Sequence, residues 1–417
     1  MSESANGVGG LGSCKVVVTG YGCVTALGCD VETTWRGLVG GLSARGPLRG
    51  IAVEGCRVTE GAEVDVAALR AQGFYAEETS RASVLLQRAV GEALSMAGFL
   101  DAFGRSTLRR VQLCVSTTAC AMEMGEQFLR SVWSSVRRGR AGLVARYQAQ
   151  QQVGELHAKY GFGGPVMTVA NACASGANAV GHAYDLIRSG MAEVVFAGGY
   201  DALCELVFAG FDGLQSLAPV ACRPFDRGRN GLMLGEGAGF LVLESQQHAA
   251  KRGALVRGYV EGYGHATDLG HLTQPNQDGK PLMDAMARAL RVAGLPPSAI
   301  DYINAHGTGT PMNDLAEARA IEGIFAGTDV RVSSTKAALG HTLGAAGAIE
   351  AVLCLRAMET GVLPPQINVI DPEALVAERL VAEGEKRVVR RALSLNLGFG
   401  GSAAALVLGA PELLAAN

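Results

Sequence analysis

The chain has 417 residues, of which 48% are hydrophobic and 18% are charged, and its net charge is −3. Because single hydrophobic cores usually stop growing below this length, two domains or two fused halves are expected. The small net charge gives no reason to expect nucleic-acid binding. Ten cysteines are too sparse for a disulfide scaffold, and none has the spacing of a zinc site. We therefore expect a cytoplasmic protein with reduced thiols and no bound metal.

The start of the chain, residues 1–13, is polar and rich in glycine and serine. It lacks a basic segment followed by an apolar one, so it predicts a short flexible tail and not a signal peptide. No uninterrupted apolar run in the sequence reaches the length that spans a membrane, so no membrane association is expected.

The remaining segments alternate between strand patterns and helix patterns. Predicted strands cover residues 15–20, 111–118, 166–169, 193–197, 237–244, 256–264, 300–304, 330–334, 392–397 and 403–408. Predicted helices cover residues 33–41, 79–100, 125–138, 143–160, 175–189, 281–293, 314–325 and 343–358. This alternation predicts an α/β fold, and the 57 glycines, which fall at strand–helix junctions, suit its tight turns.

Two segments indicate an internal duplication. A strand at 166–169 leads through a turn into an alanine-rich helix carrying Cys173, and a strand at 330–334 leads past His341 into a similar helix. We therefore divide the chain into an N-terminal half, 14–250, and a C-terminal half, 251–412, and expect the polar segment 245–253 to connect them.

Cys173 is placed where a strand hands over to a helix N-terminus. Free N–H groups and the positive dipole end favour a thiolate there, and such sites lower a cysteine pKa from about 8.5 to roughly 3.5–7.5. The small neighbours of Cys173 leave room for a substrate carbonyl. The alternative is a buried core cysteine, which is the more common role of a free thiol.

Three further turns carry polar or aromatic residues. His306 ends a strand before a loop with two threonines, at the strand end where ligands of α/β sheets bind. Lys336 and His341 flank a second turn, with Glu350 in the following helix. Buried charges need partners, so Lys336 and Glu350 are expected to pair. In the third turn, residues 398–402, a phenylalanine lies among glycines and is placed to gate a pocket.

Together these turns indicate acyl-transfer chemistry. A cysteine with a histidine supports formation of a thioester on the enzyme. Two histidines donating to one oxygen stabilise the enolate that decarboxylation produces. The backbone N–H groups of Cys173 and Phe399 are candidates for an oxyanion hole for the thioester carbonyl.

The sequence as a whole resembles the β-ketoacyl-[acyl-carrier-protein] synthases, in the branch of ketoacyl synthases I and II within the thiolase-like superfamily. The resemblance runs from Val16 to Leu408. It rests on the segments Asn171-Ala172-Cys173-Ala174-Ser175-Gly176, Arg223-Pro224-Phe225-Asp226, Gly235-Glu236-Gly237-Ala238-Gly239, His306-Gly307-Thr308-Gly309-Thr310, Lys336 with Gly340-His341, and Gly398-Phe399-Gly400-Gly401. It implies a five-layered αβαβα thiolase fold made of two similar halves.

The resemblance also implies roles for individual residues. Cys173 takes the acyl group from a carrier protein, and His306 and His341 bind the malonyl thioester carbonyl and assist decarboxylation. Lys336 orients the site and pairs with Glu350. In addition, Thr308 and Thr310 hydrogen-bond the phosphopantetheine arm, and Phe399 gates the acyl pocket. No metal or diffusible cofactor is implied, because the phosphopantetheine belongs to the carrier protein.

The chain departs from the family pattern beside the nucleophile. Leu232 replaces a phenylalanine, and Ser402-Ala403 stands where the family has an asparagine after the hydroxyl residue. A segment that in relatives reaches across the dimer interface toward the acyl pocket carries Thr118, Met122 and Met124 in place of glycines. We assign these three residues and Leu232 to the acyl pocket. Their changed shape favours a specialised polyketide or polyene pathway over housekeeping fatty-acid synthesis.

The resemblance implies an acyl carrier protein as partner and a dimer, either of identical chains or with a homologous chain-length subunit. We predict carrier docking near Arg137, Arg138 and Arg140, with a solvated helix end as the alternative. The alternative is that the chain is itself a non-catalytic chain-length subunit, but those subunits lack the nucleophilic cysteine. A thiolase-like acyltransferase or hydrolase without condensation is disfavoured by the two histidines and Lys336.

Overall fold

The computed structural model describes residues 14–71, 79–100, 108–134 and 139–411. The predicted tail at 1–13 and two of the predicted docking residues, Arg137 and Arg138, lie outside these ranges. Among the described residues, no helix is both long and apolar enough to cross a membrane.

Within the described ranges, ten strands form one mixed sheet, and two short strands form a separate antiparallel pair. The sheet order is β10-β9-β11-β12-β8-β1-β7-β6-β4-β5. The strands are β1 Val16–Thr25, β2 Arg45–Pro47, β3 Glu60–Ala62, β4 Gln112–Ser116, β5 Val166–Val169, β6 Val194–Asp201, β7 Gly237–Ser245, β8 Gly258–Thr267, β9 Tyr302–Asn304, β10 Arg331–Ser333, β11 Arg391–Gly398 and β12 Ser402–Gly409.

The sheet consists of two sets of five strands with the same topology. In one set β1 pairs antiparallel with β7, β7 antiparallel with β6, and β4 runs parallel to both β6 and β5. In the other set β8, β12, β11, β9 and β10 repeat this order and these directions. The sets meet where β1 and β8 pair antiparallel through three residues each. The predicted internal duplication is therefore visible in the strand order, while the boundary between residues 250 and 251 stays a prediction.

Helices cover the strands in layers. The helices are α1 Val31–Val39, α2 Val66–Ala71, α3 Arg81–Met96, α4 Met122–Ser134, α5 Gly142–Tyr147, α6 Ala149–Tyr160, α7 Ser175–Arg188, α8 Glu205–Gly213, α9 Gln246–Lys251, α10 Lys280–Ala293, α11 Pro311–Phe325, α12 Lys336–Leu339 and α13 Ala346–Thr360. Helices α7 and α13 pack against each other and contact strands of both sets. Helix α3 covers the outer face of the first set and α10 that of the second, which completes the predicted αβαβα order.

The hydrophobic core follows these layers. One large cluster surrounds the central helices and includes Ala177 and Ile349. A second lies between the first strand set and α3, and a third lies between the second set and α10. Apolar side chains are thus buried on both faces of the strands, as expected for a sheet covered by helices on each side. The central layer holds the start of both alanine-rich helices in fixed positions.

Each central helix begins in the same unusual way. A 3₁₀ turn, Ala172–Ala174 or Leu343–Ala345, precedes α7 and α13 respectively. The first residue of each turn has a positive φ, 56° at Ala172 and 52° at Leu343. A non-glycine residue with positive φ carries strain and persists only where its surroundings hold it. The duplication therefore repeats a strained entry to the helix as well as the strand order.

Small residues let the two central helices approach closely. A Cβ atom added at Gly347 of α13 would lie 2.4 Å from the backbone nitrogen of Ala177 in α7. We predict that Gly347→Ala lowers the free energy of unfolding by about 1–3 kcal/mol, because the core has no space for the added methyl group. The measurement is chemical denaturation of the two proteins.

Gly154→Ala in α6 is the matched control for this prediction. Gly154 is exposed, and a Cβ atom added there meets no atom within 4 Å. Because alanine is the better helix former, this change should raise stability by about 0.5–1 kcal/mol. Equal stability of Gly347→Ala and the wild type would show that the central helices do not pack as described.

Candidate active site

A cavity of about 380 Å³ lies where the two halves of the molecule meet. Its walls combine residues from all three turns singled out by the sequence. Of the predicted site residues, those lining it are Cys173, Leu232, His306, Thr308, Thr310, His341 and Phe399. The structure therefore brings together side chains that are separated by up to 226 positions in the chain, between Cys173 and Phe399.

Cys173 lies in the middle of the 3₁₀ turn that precedes α7 and is only 6% exposed. The strained turn is held by Ser175, whose hydroxyl donates to the carbonyl of Ala172 at 2.5 Å and accepts from the N–H of Asn171 at 2.8 Å. The expected position at a strand–helix junction is thus observed, although the α-helix itself begins two residues after the cysteine.

The expected lowering of the thiol pKa does not occur in the unliganded site. Burial raises the pKa of Cys173 to about 12, although the charge of Lys336 and the backbone N–H groups of Phe399 and Cys173 act to lower it. Desolvation of the charged form outweighs the favourable groups. The prediction of a resting thiolate, which considered only the helix end, is therefore wrong, and the thiol is neutral near pH 7.

His306 and His341 lie against each other, with ring centroids 5.4 Å apart and planes at 86°. Burial and the nearby charge of Lys336 lower the pKa of both imidazoles well below 6.5, so both are neutral near pH 7. The backbone N–H of Leu343 donates to Nδ1 of His341 at 3.3 Å. A neutral ring that accepts at Nδ1 carries its proton on Nε2, so His341 has a donor available.

Two buried acidic residues of α11 hold the loop that follows His306. Glu317 accepts the backbone N–H groups of His306 and Gly307, each at 2.7 Å. Asp314 accepts the N–H of Thr308 at 3.0 Å and that of Phe225 at 2.9 Å. Sequence reasoning did not assign these two carboxylates to the site. Their spacing of three positions in a predicted helix was the available signal, since it places both on one face.

The hydroxyl groups of Thr308 and Thr310 lie 2.9 Å apart at the cavity wall. Thr308 is 5% exposed, and Thr310 is half-buried beside the start of α11. A pair of hydroxyl groups can both donate and accept hydrogen bonds, so this wall suits a ligand with amide groups.

The expected pairing of Lys336 with Glu350 is observed. Both are buried, and Lys336 Nζ contacts Glu350 Oε1. The other carboxylate oxygen accepts from Asn396 Nδ2 at 2.6 Å, a partner that the sequence did not predict. Within the described residues, no group of three or more His, Cys, Asp or Glu side chains is arranged to hold a metal ion.

Removing the positive member of this pair should be costly. We predict that Lys336→Met lowers the free energy of unfolding by about 3–5 kcal/mol, because it leaves the Glu350 carboxylate buried without a counter-charge. Chemical denaturation measures this, and the double variant Lys336→Met/Glu350→Gln should recover part of the loss. Lys280→Met, which breaks an exposed ion pair with Asp284, is the control and should change stability by less than about 1 kcal/mol. Similar effects at Lys336 and Lys280 would contradict the buried pairing.

Phe399 lies in the glycine-rich turn between β11 and β12 and is 38% exposed. Its ring stacks on Phe211 of α8 with centroids 5.6 Å apart. The turn is also hydrogen-bonded to the loop that follows β8. Gly400 N–H donates to the carbonyl of Leu272, and Asp268 N–H donates to the carbonyl of Gly401, each at 2.7 Å. Phe399 thus lines the cavity with a partly exposed ring, and its role as a gate stays a prediction.

The predicted acyl-pocket residues do not all meet in this cavity. Leu232 lines it, whereas Thr118 is exposed and Met124 packs in the outer core between the first strand set and α3. Met122 lines a different, open groove beside α8. In the structure of a single chain, Thr118, Met122 and Met124 therefore do not line the Cys173 cavity. Their assignment to the acyl pocket stays a prediction about an assembly of two chains.

A buried carboxylate fixes the segment that contains Thr118. Asp201 accepts from the hydroxyl of Thr117 and from the N–H groups of Thr118, Ala119 and Gly344, at distances of 2.6–3.0 Å. The carboxylate therefore connects this segment to the turn after His341.

Of the predicted docking residues, the one described, Arg140, is exposed.

Comparison with known proteins identifies the family of the chain. The family model described as the N-terminal domain of β-ketoacyl synthase matches residues 14–249, and that of the C-terminal domain matches residues 257–370. The mitochondrial 3-oxoacyl-[acyl-carrier-protein] synthase of Arabidopsis thaliana is 36% identical, over 94% of this chain and 92% of its own length.

Solved structures agree with this result. The ishigamide ketosynthase/chain length factor superimposes with a TM-score of 0.89 at 32% identity, covering 96% of this chain and all of the other. A type II polyketide synthase carrier protein in complex with its ketosynthase, AntDE:AntF, gives a TM-score of 0.86 at 27% identity over the same shares. The chain belongs to the β-ketoacyl synthase family, the thiolase-like acyltransferases that perform the condensation step of chain elongation.

Proposed function

We propose that the cavity catalyses decarboxylative condensation of an acyl chain held on Cys173 with a malonyl group delivered by an acyl carrier protein. The observation that carries this proposal is the meeting of one thiol and two neutral imidazoles in a single buried cavity. A nucleophile alone would serve hydrolysis or simple transfer. Two neutral imidazoles with centroids 5.4 Å apart add the ability to stabilise an enolate.

The first step transfers the acyl group. The Cys173 sulfur attacks the thioester carbonyl of the acyl carrier, the bond to the carrier sulfur breaks, and the thiol proton passes to the departing pantetheine thiolate. The negative charge that develops on the carbonyl oxygen is held by the backbone N–H groups of Cys173 and Phe399. Both groups lie close enough to the sulfur to lower the pKa of Cys173.

The second step forms the carbon–carbon bond. The malonyl thioester oxygen accepts hydrogen bonds from His306 and His341, the carboxyl group leaves as CO₂, and its bonding electrons form an enolate. The enolate carbon attacks the acyl-Cys173 carbonyl, and the sulfur leaves as a thiolate that is then protonated. Lys336 holds Glu350, and its charge keeps both imidazoles neutral during the reaction. Thr308 and Thr310 bind the amides of the pantetheine arm.

The substrate is proposed to belong to a specialised polyketide or polyene pathway. In support, AntDE:AntF is named as a type II polyketide synthase carrier protein in complex with its ketosynthase, and another similar structure is named the ishigamide ketosynthase/chain length factor. Leu232 at the cavity wall, in place of a larger aromatic residue, also supports an altered acyl pocket. The proposal includes a cytoplasmic location, a carrier-bound phosphopantetheine as the only prosthetic group, and a dimer with an identical or homologous chain.

The alternative of a non-catalytic chain-length subunit is not favoured. Such a subunit needs no nucleophile, yet Cys173 is present in a strained turn with its neighbouring N–H groups directed at it. Strain of this kind is retained where function requires it. The buried histidine pair would also have no purpose in a subunit that only shapes a partner's pocket.

A mass-spectrometric experiment tests the substrate class. The protein is incubated with acyl carrier proteins bearing saturated or polyunsaturated chains of matched length, and the acyl group trapped on Cys173 is weighed. The proposal predicts preferential loading of the polyunsaturated chains. Preferential loading of the saturated chains would contradict the specialised pathway and leave the condensation chemistry in place.

A further inference from the structure

The side chain of Ser402 joins the turn that carries the nucleophile to the turn that carries the gate. Its Oγ accepts from Nδ2 of Asn171 at 3.1 Å and from Nδ2 of Asn178 at 3.3 Å. Asn171 lies two residues before Cys173, and Ser402 lies three residues after Phe399. A hydroxyl oxygen has two lone pairs, so it can accept both amides at once.

The second amide makes a further contact. The hydroxyl of Tyr263 donates to Oδ1 of Asn178 at 2.8 Å. In this arrangement the amide nitrogen of Asn178 faces Ser402. Tyr263 and Asn178 are half-buried, and helix α7 and strand β8 hold them in place. The contact to Ser402 is therefore anchored to two regular elements.

The two turns also touch through their backbones. A Cβ atom added at Gly398 would lie 3.2 Å from the backbone nitrogens of Cys173 and Ala174 and from the carbonyl of Asn171. The two N–H groups near the Cys173 sulfur belong to different turns, one to Cys173 itself and one to Phe399. A pair of donors built from two segments stabilises an oxyanion only if the segments keep a fixed distance.

From these contacts we infer that Ser402 is a positioning residue for acyl transfer, which holds the Phe399 N–H in register with the Cys173 N–H. The inference rests on the proposed function, because it concerns the oxyanion of the acyl-transfer step. It also accounts for a departure from the family pattern. The residue after Ser402 is alanine, so that position supplies no amide to brace the turn, and Asn171 and Asn178 supply amides from the nucleophile segment.

The test separates acyl transfer from decarboxylation. In Ser402→Ala, transfer of the acyl group from its carrier to Cys173 should slow about three- to tenfold, because the gate turn loses its brace. Decarboxylation of malonyl carrier protein, which uses the two histidines, should keep its wild-type rate, and the melting temperature should be unchanged. Ser402→Thr, which retains a hydroxyl group, should restore transfer. Asn171→Ala, a change at an exposed position, should also slow acyl transfer selectively, by a smaller factor.

Two results would overturn the inference. One is equal transfer rates in the wild type and Ser402→Ala. The other is a parallel fall of transfer and decarboxylation in Ser402→Ala or Asn171→Ala, which indicates general loosening of the site. A wild-type protein that loads no acyl group on Cys173 would instead contradict the proposed function, so the two failures are distinguishable.

Discussion

Replacing Cys173 by alanine should abolish acyl loading and reduce β-ketoacyl product by at least about 10³-fold. The acyl group has no other thiol at the cavity wall, since Cys173 is the one cysteine among the described residues that line it. Decarboxylation of malonyl carrier protein should continue, because His306 and His341 keep their positions. The measurement combines product mass, CO₂ release and the mass of the intact enzyme.

Cys222→Ala serves as the matched control for the nucleophile. Cys222 is also buried, and its Sγ contacts the carbonyl of Thr308, so it lies near the cavity without lining it. This variant should load an acyl group and form product at rates close to those of the wild type. If acyl loading persisted in Cys173→Ala and disappeared in Cys222→Ala, the nucleophile would be Cys222 and not Cys173.

Replacing His341 by alanine should slow malonyl decarboxylation by about 10²–10³-fold, the usual effect of removing one donor from an oxyanion site. The ring donates through Nε2 because its Nδ1 is occupied by the N–H of Leu343. Acyl loading of Cys173 should persist, since the oxyanion of that step is held by backbone groups. His182→Ala, at a half-buried position that does not line the cavity, is the control and should leave both steps unchanged.

The same histidines determine how decarboxylation depends on pH. Burial and Lys336 place both histidine pKa values well below 6.5, so both rings remain neutral as the pH falls from about 8 to about 6. Decarboxylation by the wild type should therefore be nearly constant over this interval, when the carrier is saturating. A rate that falls about tenfold between pH 7 and pH 6 would contradict this expectation of a nearly constant rate.

Much of the fold could be predicted from the sequence because the central elements are buried on both faces. Continuous apolar runs such as 237–244 and the alanine-rich helix after His341 have few alternative placements, and both lie in the expected layers. Helix α8 was not predictable in this way. Its two glycines, Gly210 and Gly213, weaken helix propensity, and its apolar Leu206 faces solvent, which obscures the helical period.

The site was predictable where the sequence around a residue leaves that residue type few other roles. A lysine and a glutamate within an apolar segment require each other, and Lys336 and Glu350 do pair. The thiol pKa of Cys173 was not predictable, because it depends on desolvation by distant segments that close over the helix end. The same reason applies to Met124: its spacing cannot show whether it faces a pocket or the outer core.

Reconstitution of the complete reaction tests the central claim most directly. The wild-type protein is supplied with an acyl carrier protein and malonyl carrier protein, and CO₂ and carrier-bound products are measured together. The account predicts one CO₂ for each β-ketoacyl carrier protein that the wild type forms, with formation of the β-ketoacyl product dependent on Cys173. Release of free acid from the acyl carrier, with neither CO₂ nor a β-ketoacyl product, would contradict it and identify the cavity as a hydrolase site.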